Sequence, residues 1–452
     1  MTQRDPESGV SGVKPSMLRR VRGWLAFGVY GASLGALVLG VWACQGPSGG
    51  SSSSFERLPV DGSSADLRVR LVGPERAVTL GGAGTWKVGV EGAGSTKTVP
   101  GPVRVAGGRG AVRVVDATGR VHGFARGSSV SLLPEDGVGD LGGKTYRGTF
   151  VAVPRGAQEP DRIDVISVVD VESYLPGVVA QELYESWPLE AYRAQAVAAR
   201  SYALSERAKA RDRGRYYDLE DDQRDQAYLG LTDRPVALES VRSTRGIVLT
   251  AYDRIMPAFY SSTCGGRAAL AEEIWPEQSS VNFRLVSRTR GVKTDRPHAC
   301  QSAPLYRWRV VRSRDALSGR LRAWGRANDD AALAGFDRLH MLSVAERSSS
   351  GRPLMYRLTD VRGRSAEIGA ERLRGALNAS VPGTDRVPAS DRVRSNDFDF
   401  RVNGSRVTIL GRGFGHGVGL CQYCAKTMAQ RGRDAEEMLG LFYPTAELRR
   451  AY

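Results

Sequence analysis

Residues 171–204 read VESYLPGVVAQELYESWPLEAYRAQAVAARSYAL, and this stretch sets the architecture. In its second half Leu189, Tyr192, Ala196, Ala199 and Ala203 recur at three- and four-residue intervals, the spacing of one apolar helix face. Ser186 offers an N-cap and Pro188 is tolerated in a first turn, so a helix is expected over 186–209. Its run of alanines lets a neighbour approach closely. Ahead of it, RIDVISVVDV (162–171) reads as a buried strand, with Glu172-Ser-Tyr-Leu-Pro-Gly as the corner between strand and helix.

Working outward, 66–155 is β-rich: LRVRLV (67–72), WKVGV (86–90) and GAVRVV (110–115) are short alternating runs parted by glycine turns. Downstream, strand patterns fall at 246–251 and 258–260, ahead of STCGGRA (262–268). Residues 305–375 alternate YRWRVVR, LHMLSVAER and MYRLTD with a helix at 313–325, and 376–395 is a Pro/Ser/Asp-rich connection. A strand at 406–410 enters the loop GRGFGHGVG (411–419), and helices at 421–431 and 434–442 close the chain. There is no internal repeat. The expected fold is α+β: mainly antiparallel β with a long helix packed on it. A cleft is expected between 186–209 with its preceding loop and 411–424, with a rim sub-domain at 305–395.

Composition narrows the class. Hydrophobic residues make up 41% and charged residues 25% of 452, ordinary for a folded chain. Residues 1–22 hold only +3 of the formal +15, so +12 lies beyond residue 44 and favours acidic or polyanionic surroundings. The arginines are dispersed rather than clustered, and no nucleic-acid recognition motif is present. Arg19, Arg20 and Arg22 precede an uncharged stretch, 24–43, long enough to span a bilayer as a helix. Val41-Trp42-Ala43-Cys44 follows the pattern of a lipobox, and 45–65 is a Gly/Ser tether. An uncleaved signal anchor and a lipoprotein signal over 1–44 both fit, and both give a membrane-tethered, extracytoplasmic protein. Nucleic acid is therefore not an expected partner.

Three segments, 171–204, STCGGRA and GRGFGHGVGLCQYCAKTMAQRG (411–432), resemble in order and spacing the SpoIID/LytB family (stage II sporulation protein D-like, amidase enhancer domain). Its pattern runs E-x-Y-L-x-G-V-V-x-x-E, W-P-x-E-A-x-x-A-Q-A-V-A-A-R-x-Y, S-x-x-G-G and G-x-G-F-G-H-G-V-G-x-x-Q. The likeness covers about 160–450, so 156–450 is taken as the SpoIID/LytB-like domain. The resemblance implies a peptidoglycan substrate. One kind of relative is a lytic transglycosylase that cuts glycan strands already stripped of peptides by an N-acetylmuramoyl-L-alanine amidase. Another assists an amidase rather than cutting.

Glu182, in V-V-A-Q-E-L, matches the family's catalytic glutamate. One carboxyl suffices for that reaction if it first donates a proton to the glycosidic oxygen and then accepts one from the sugar's C6 hydroxyl. An apolar wall from Leu183, Tyr184 and Trp187 would raise its pKa. Glu185 and Glu190 are the local competitors. Glu172 reads as a corner-fixing residue. Arg200, Ser262, Arg267, His416, Gln422 and Tyr423 are expected to shape the glycan site.

No placement of 411–419 gives GxGxxG, and no GK[ST] is present, so phosphate-loop and dinucleotide readings fail. The alternating glycines are read as allowing backbone to approach a bulky ligand. Cys264, Cys300, Cys421 and Cys424 form an even set in the exported part. Two disulfides are preferred, with no cofactor; a structural zinc on the four thiolates, or with His298 or His416 replacing one, is the other reading. Cys424 stands where the family usually has glycine, and the zinc site of some relatives does not map onto this chain. Three functions follow: a lytic transglycosylase, a non-catalytic glycan-binding enhancer of an amidase, and a nucleic-acid binder that the export signal disfavours.

Overall fold

The computed structural model describes residues 65–82, 84–222, 225–276 and 298–452. The expected membrane segment, lipobox and tether lie outside these. Among the described residues no helix is long and apolar enough to cross a membrane.

The first layer is a seven-stranded sheet in the spatial order Leu219–Glu220, Asp66–Glu75, Ile163–Asp170, Thr149–Pro154, Val130–Pro134, Thr85–Val90, Lys97–Pro100. Only its first pair is parallel. Alternation along Asp66–Glu75 explains its two faces. Leu67, Val69 and Leu71 enter the core, while Arg68 and Arg70 turn the other way and pair with Asp218 at 2.6 Å and Glu220 at 2.9 Å. Ile163–Asp170 pairs with strands from both ends of the leading region, so one sheet runs through the boundary expected near 155.

The corner expected after this strand is instead a helix, α1, Val171–Glu182. Asp170 caps it by accepting from the Glu172 backbone N–H at 3.0 Å. Pro176 lies inside it, a position that propensity alone disfavours; tertiary packing overrides that cost. Gly177 is required there, since a Cβ would fall 2.0 Å from the Gly230 carbonyl oxygen. The long helix α2 spans Leu189–Asp212, with Pro188 rather than Ser186 at its N-cap. It is buried nearly all round. Tyr192, Ala196, Ala199 and Ala203 face the sheet core, whereas Ala191, Ala194, Val197 and Ala198 face a second core with Leu249, Met256, Leu439 and Tyr443. Small side chains on both faces make α2 a central spine rather than a one-sided cover.

The rim sub-domain has its own core around Leu317, Leu321, Phe336, Tyr356 and Phe398. Two three-stranded antiparallel sheets enclose it with the helices Arg314–Ala327 and Ala370–Asn378. Ser313 caps the first of these helices through Ala316 N–H at 3.3 Å. The connection expected from 376 begins only after Asn378, and the unit runs past 395, because Arg406–Arg412 is the middle strand of one of its sheets. That strand delivers the glycine loop to the site.

Candidate active site

Glu182 is the last residue of α1, and Gln422 is the first of the helix Gln422–Gln430. The Gln422 Nε2 donates to Glu182 Oε2 at 2.8 Å. Loss of hydration raises the Glu182 pKa above the ordinary carboxylate range, and the Gln422 hydrogen bond only partly offsets it. Beneath lies Tyr260, whose phenol is pushed well up by burial and then by the Glu182 charge. The Tyr260 hydroxyl accepts from Gln226 Nε2 at 3.1 Å, and Gln226 Oε1 accepts from the Tyr174 hydroxyl at 3.2 Å. Sequence reasoning missed this polar floor. Tyr174 lies in the first motif, but Gln226 and Tyr260 belong to none, and the three come from separate segments.

Beside Glu182 the aromatic rings form a ledge. Trp187 meets Tyr423 edge-on at 4.9 Å and Tyr184 at 5.7 Å, and Lys426 Nζ lies 5.3 Å from the Trp187 ring centre. Trp187 and Leu183 are buried, as a wall that desolvates a carboxyl must be, while Tyr184 is 65% exposed. The Tyr423 backbone N–H donates to the Ser262 carbonyl at 3.1 Å, so the STCGG segment positions the ledge through its main chain.

The other expected residues divide. Arg200 cannot meet a substrate: it is fully buried, and its guanidinium forks onto Glu172 with two bonds of 2.8 Å. It also donates to the Ile247 carbonyl at 3.0 Å. Glu172 accepts further from Gly246 N–H and the Tyr452 hydroxyl, so this pair ties α1 and α2 to the C-terminus. Glu190 is likewise engaged, with Arg193 and, at 3.0 Å, with the Ala435 N–H at the start of the last helix. Glu185 is exposed. Arg267 reaches the rim, donating to the Gly351 carbonyl at 2.8 Å and pairing with Asp397 at 3.5 Å.

His416 sits against Trp275, with ring centres 5.1 Å apart, and its Nδ1 accepts from Val418 N–H at 3.0 Å. Burial lowers its pKa to about 4 despite the Glu371 charge, with Arg374 and Arg352 adding to the drop. It is neutral at pH 7.

The glycines of 411–419 serve the protein rather than a ligand. Gly413, Gly415, Gly417 and Gly419 all have positive φ, and a Cβ on each would strike the chain's own atoms. Gly419 is the sharpest case, its Cβ falling 2.0 Å from the Phe259 carbonyl oxygen, while a Cβ on Gly417 would lie 2.5 Å from Arg352 Nη1. Arg352 is fully buried and donates to the Arg267 carbonyl at 2.6 Å and to Asn396 Oδ1 at 2.8 Å. Asn396 in turn donates to Glu371. This brace from the rim sub-domain was not legible in the sequence, since Arg352 belongs to no motif.

The four cysteines meet in one place. Their Sγ atoms all lie within 4.8 Å of one another, Cys264 and Cys300 at 3.6 Å, and no S–S bond joins any of them. The expected pair of disulfides is thus replaced by a single four-thiol cluster.

A family model described as stage II sporulation protein matches residues 159–251, and one described as Domain of unknown function (DUF8618) matches 269–419. An uncharacterized protein of Brachyspira hyodysenteriae is 27% identical over 67% of this chain and 72% of its own length. The amidase enhancer of Bacillus subtilis is 26% identical over 61% of this chain, which spans 40% of that protein. The stage II sporulation protein D of Bacillus amyloliquefaciens is 25% identical over 72% of this chain and 88% of its own length. With the three motif segments gathered at Glu182, the chain is similar to the SpoIID/LytB family, whose model it matches over 159–251. The first model covers the opening part of the expected 160–450, and the second, over 269–419, covers the rim sub-domain.

Proposed function

We propose that the chain acts on peptidoglycan in the cell envelope as a lytic transglycosylase, with Glu182 as its single acid and base. The observation that carries this is a partly exposed carboxyl, its pKa raised by burial, held by Gln422 beside an aromatic ledge. Protonated Glu182 gives its proton to the glycosidic oxygen as the C1–O bond breaks. The muramoyl C6 hydroxyl attacks C1 and passes its proton to the carboxylate. The product is a 1,6-anhydro end, no water is consumed, and Glu182 is again protonated. Tyr184 and Tyr423 offer faces to sugar rings, with the buried Trp187 packed behind them. The amidase-enhancer relative supports a working link to an amidase, whose removal of stem peptides would supply bare glycan.

The test is digestion of peptide-free and intact peptidoglycan by the purified full-length chain and its Glu182→Gln variant, read by mass spectrometry. Anhydro-ended fragments from the wild type alone are expected. If neither protein cuts but both still bind glycan, the chain is a non-catalytic enhancer.

A further inference from the structure

We propose that Cys264, Cys300, Cys421 and Cys424 hold one structural zinc ion that fixes the wall of the Glu182 site. Four thiolates around a tetrahedral zinc at ~2.3 Å place their sulfurs ~3.8 Å apart. The observed 3.6 Å between Cys264 and Cys300, with all four within 4.8 Å, fits that figure. In a disulfide, by contrast, two sulfurs stand at ~2.05 Å.

The surroundings favour a bound cation over free thiols. Cys421 is the N-cap of the helix Gln422–Gln430 and Cys424 lies in its first turn, where the helix dipole favours negative charge. The Cys264 backbone N–H points at Cys421 Sγ, 3.4 Å away, as outer hydrogen bonds to metal thiolates do. Cys300, Cys421 and Cys424 are buried among Met256, Leu420, Met438 and Tyr443, which keeps competing ligands out. Soft sulfur donors in a tetrahedral set select zinc or iron over hard cations, and zinc brings no redox chemistry to an exported protein.

The cluster ties together distant parts of the chain: the STCGG turn, the turn at 298–301 and the last motif helix. Gln422 follows one ligand directly and precedes another by two residues, so the metal holds the backbone from which Gln422 reaches Glu182.

The experiment measures metal content of the purified full-length chain by plasma mass spectrometry, and counts alkylatable thiols after unfolding without reductant. One zinc per chain is expected, with all four of these thiols alkylated. Replacement by cobalt(II) should give sulfur-to-metal charge-transfer bands and tetrahedral d–d bands. Cys424→Ser should lose zinc affinity by more than about tenfold, and Cys424→His should retain most of it. Should Cys424→Ser fail to fold, the wild-type metal and thiol counts decide alone. Metal-free protein with these cysteines resistant to alkylation until reduced, or a coloured iron protein, would overturn the zinc. Neither count depends on glycan cleavage, so the two readings fail separately.

Discussion

Gln422 and Glu182, 240 positions apart, meet at 2.8 Å where the end of one helix faces the start of another. The amide N–H stabilises the carboxylate and so lowers a pKa that burial has raised. Gln422→Leu removes the donor at nearly constant volume and should raise that pKa further. Cleavage needs the protonated acid, so the limb on which kcat/KM falls with rising pH should move to higher pH. A pH profile of anhydro-end release checks this; an unmoved limb would mean that another group is the acid.

Glu172→Gln should destabilise the fold rather than disturb the chemistry directly. It leaves the fully buried Arg200 without its counter-charge, a loss of roughly 3–5 kcal/mol. Burial works to raise the Glu172 pKa, but the bonds from Arg200, Tyr452 and Gly246 outweigh it and hold the pKa below the usual value. The contribution is therefore present above the unfolded pKa and lost as pH falls through the folded one. Urea unfolding at pH 7 and at acidic pH should show the variant losing its deficit as pH drops.

His416 gives a second pH signature. Its folded pKa, about 4, lies below its unfolded value of ~6.5, so the unfolded chain binds more protons between the two. Stability should climb across that window by at most about 3 kcal/mol and be complete above it, at 1.36 kcal/mol per unit. His416→Gln should flatten the slope, measured as the change in unfolding free energy between pH 5 and pH 7.

Gly417→Ala forces a side chain into positive φ and against Arg352. Gly383 also has positive φ, but a Cβ there meets nothing within 4 Å. Gly383→Ala should thus lose about 1 kcal/mol for the backbone alone, and Gly417→Ala clearly more. Equal losses in thermal melts would rule out the Arg352 contact as the reason for glycine.

Tyr184→Ala should weaken glycan binding several-fold and leave stability within about 0.5 kcal/mol, since the ring is mostly exposed. Co-sedimentation with peptide-free glycan, beside a thermal melt, separates the two. Unchanged binding would remove Tyr184 from the ledge.

The periodicity of 189–203 and the alternation in 67–72 made most elements legible, because these are local properties of backbone and burial. The motif order likewise pointed to Glu182, Gln422 and Tyr423. Local signals misread 171–182, where Glu172-Ser-Tyr-Leu-Pro-Gly looks like a corner and is helical. Packing of Tyr174 and Gly177 against Tyr228 and Gly230 outweighs the proline there.

By itself, then, the sequence determined most of the element pattern, the likeness to the family and Glu182 as the candidate acid. The tertiary structure decided what each polar residue is for. Arg200 looks like a site residue in one dimension and becomes, with Glu172, an internal brace, since a charge buried on α2 must be paired. Four cysteines spread over 161 positions become one cluster. Arg352, in no motif, becomes the support of the glycine loop. Burial and partner geometry depend on contacts between segments far apart in the chain, and no local pattern encodes them.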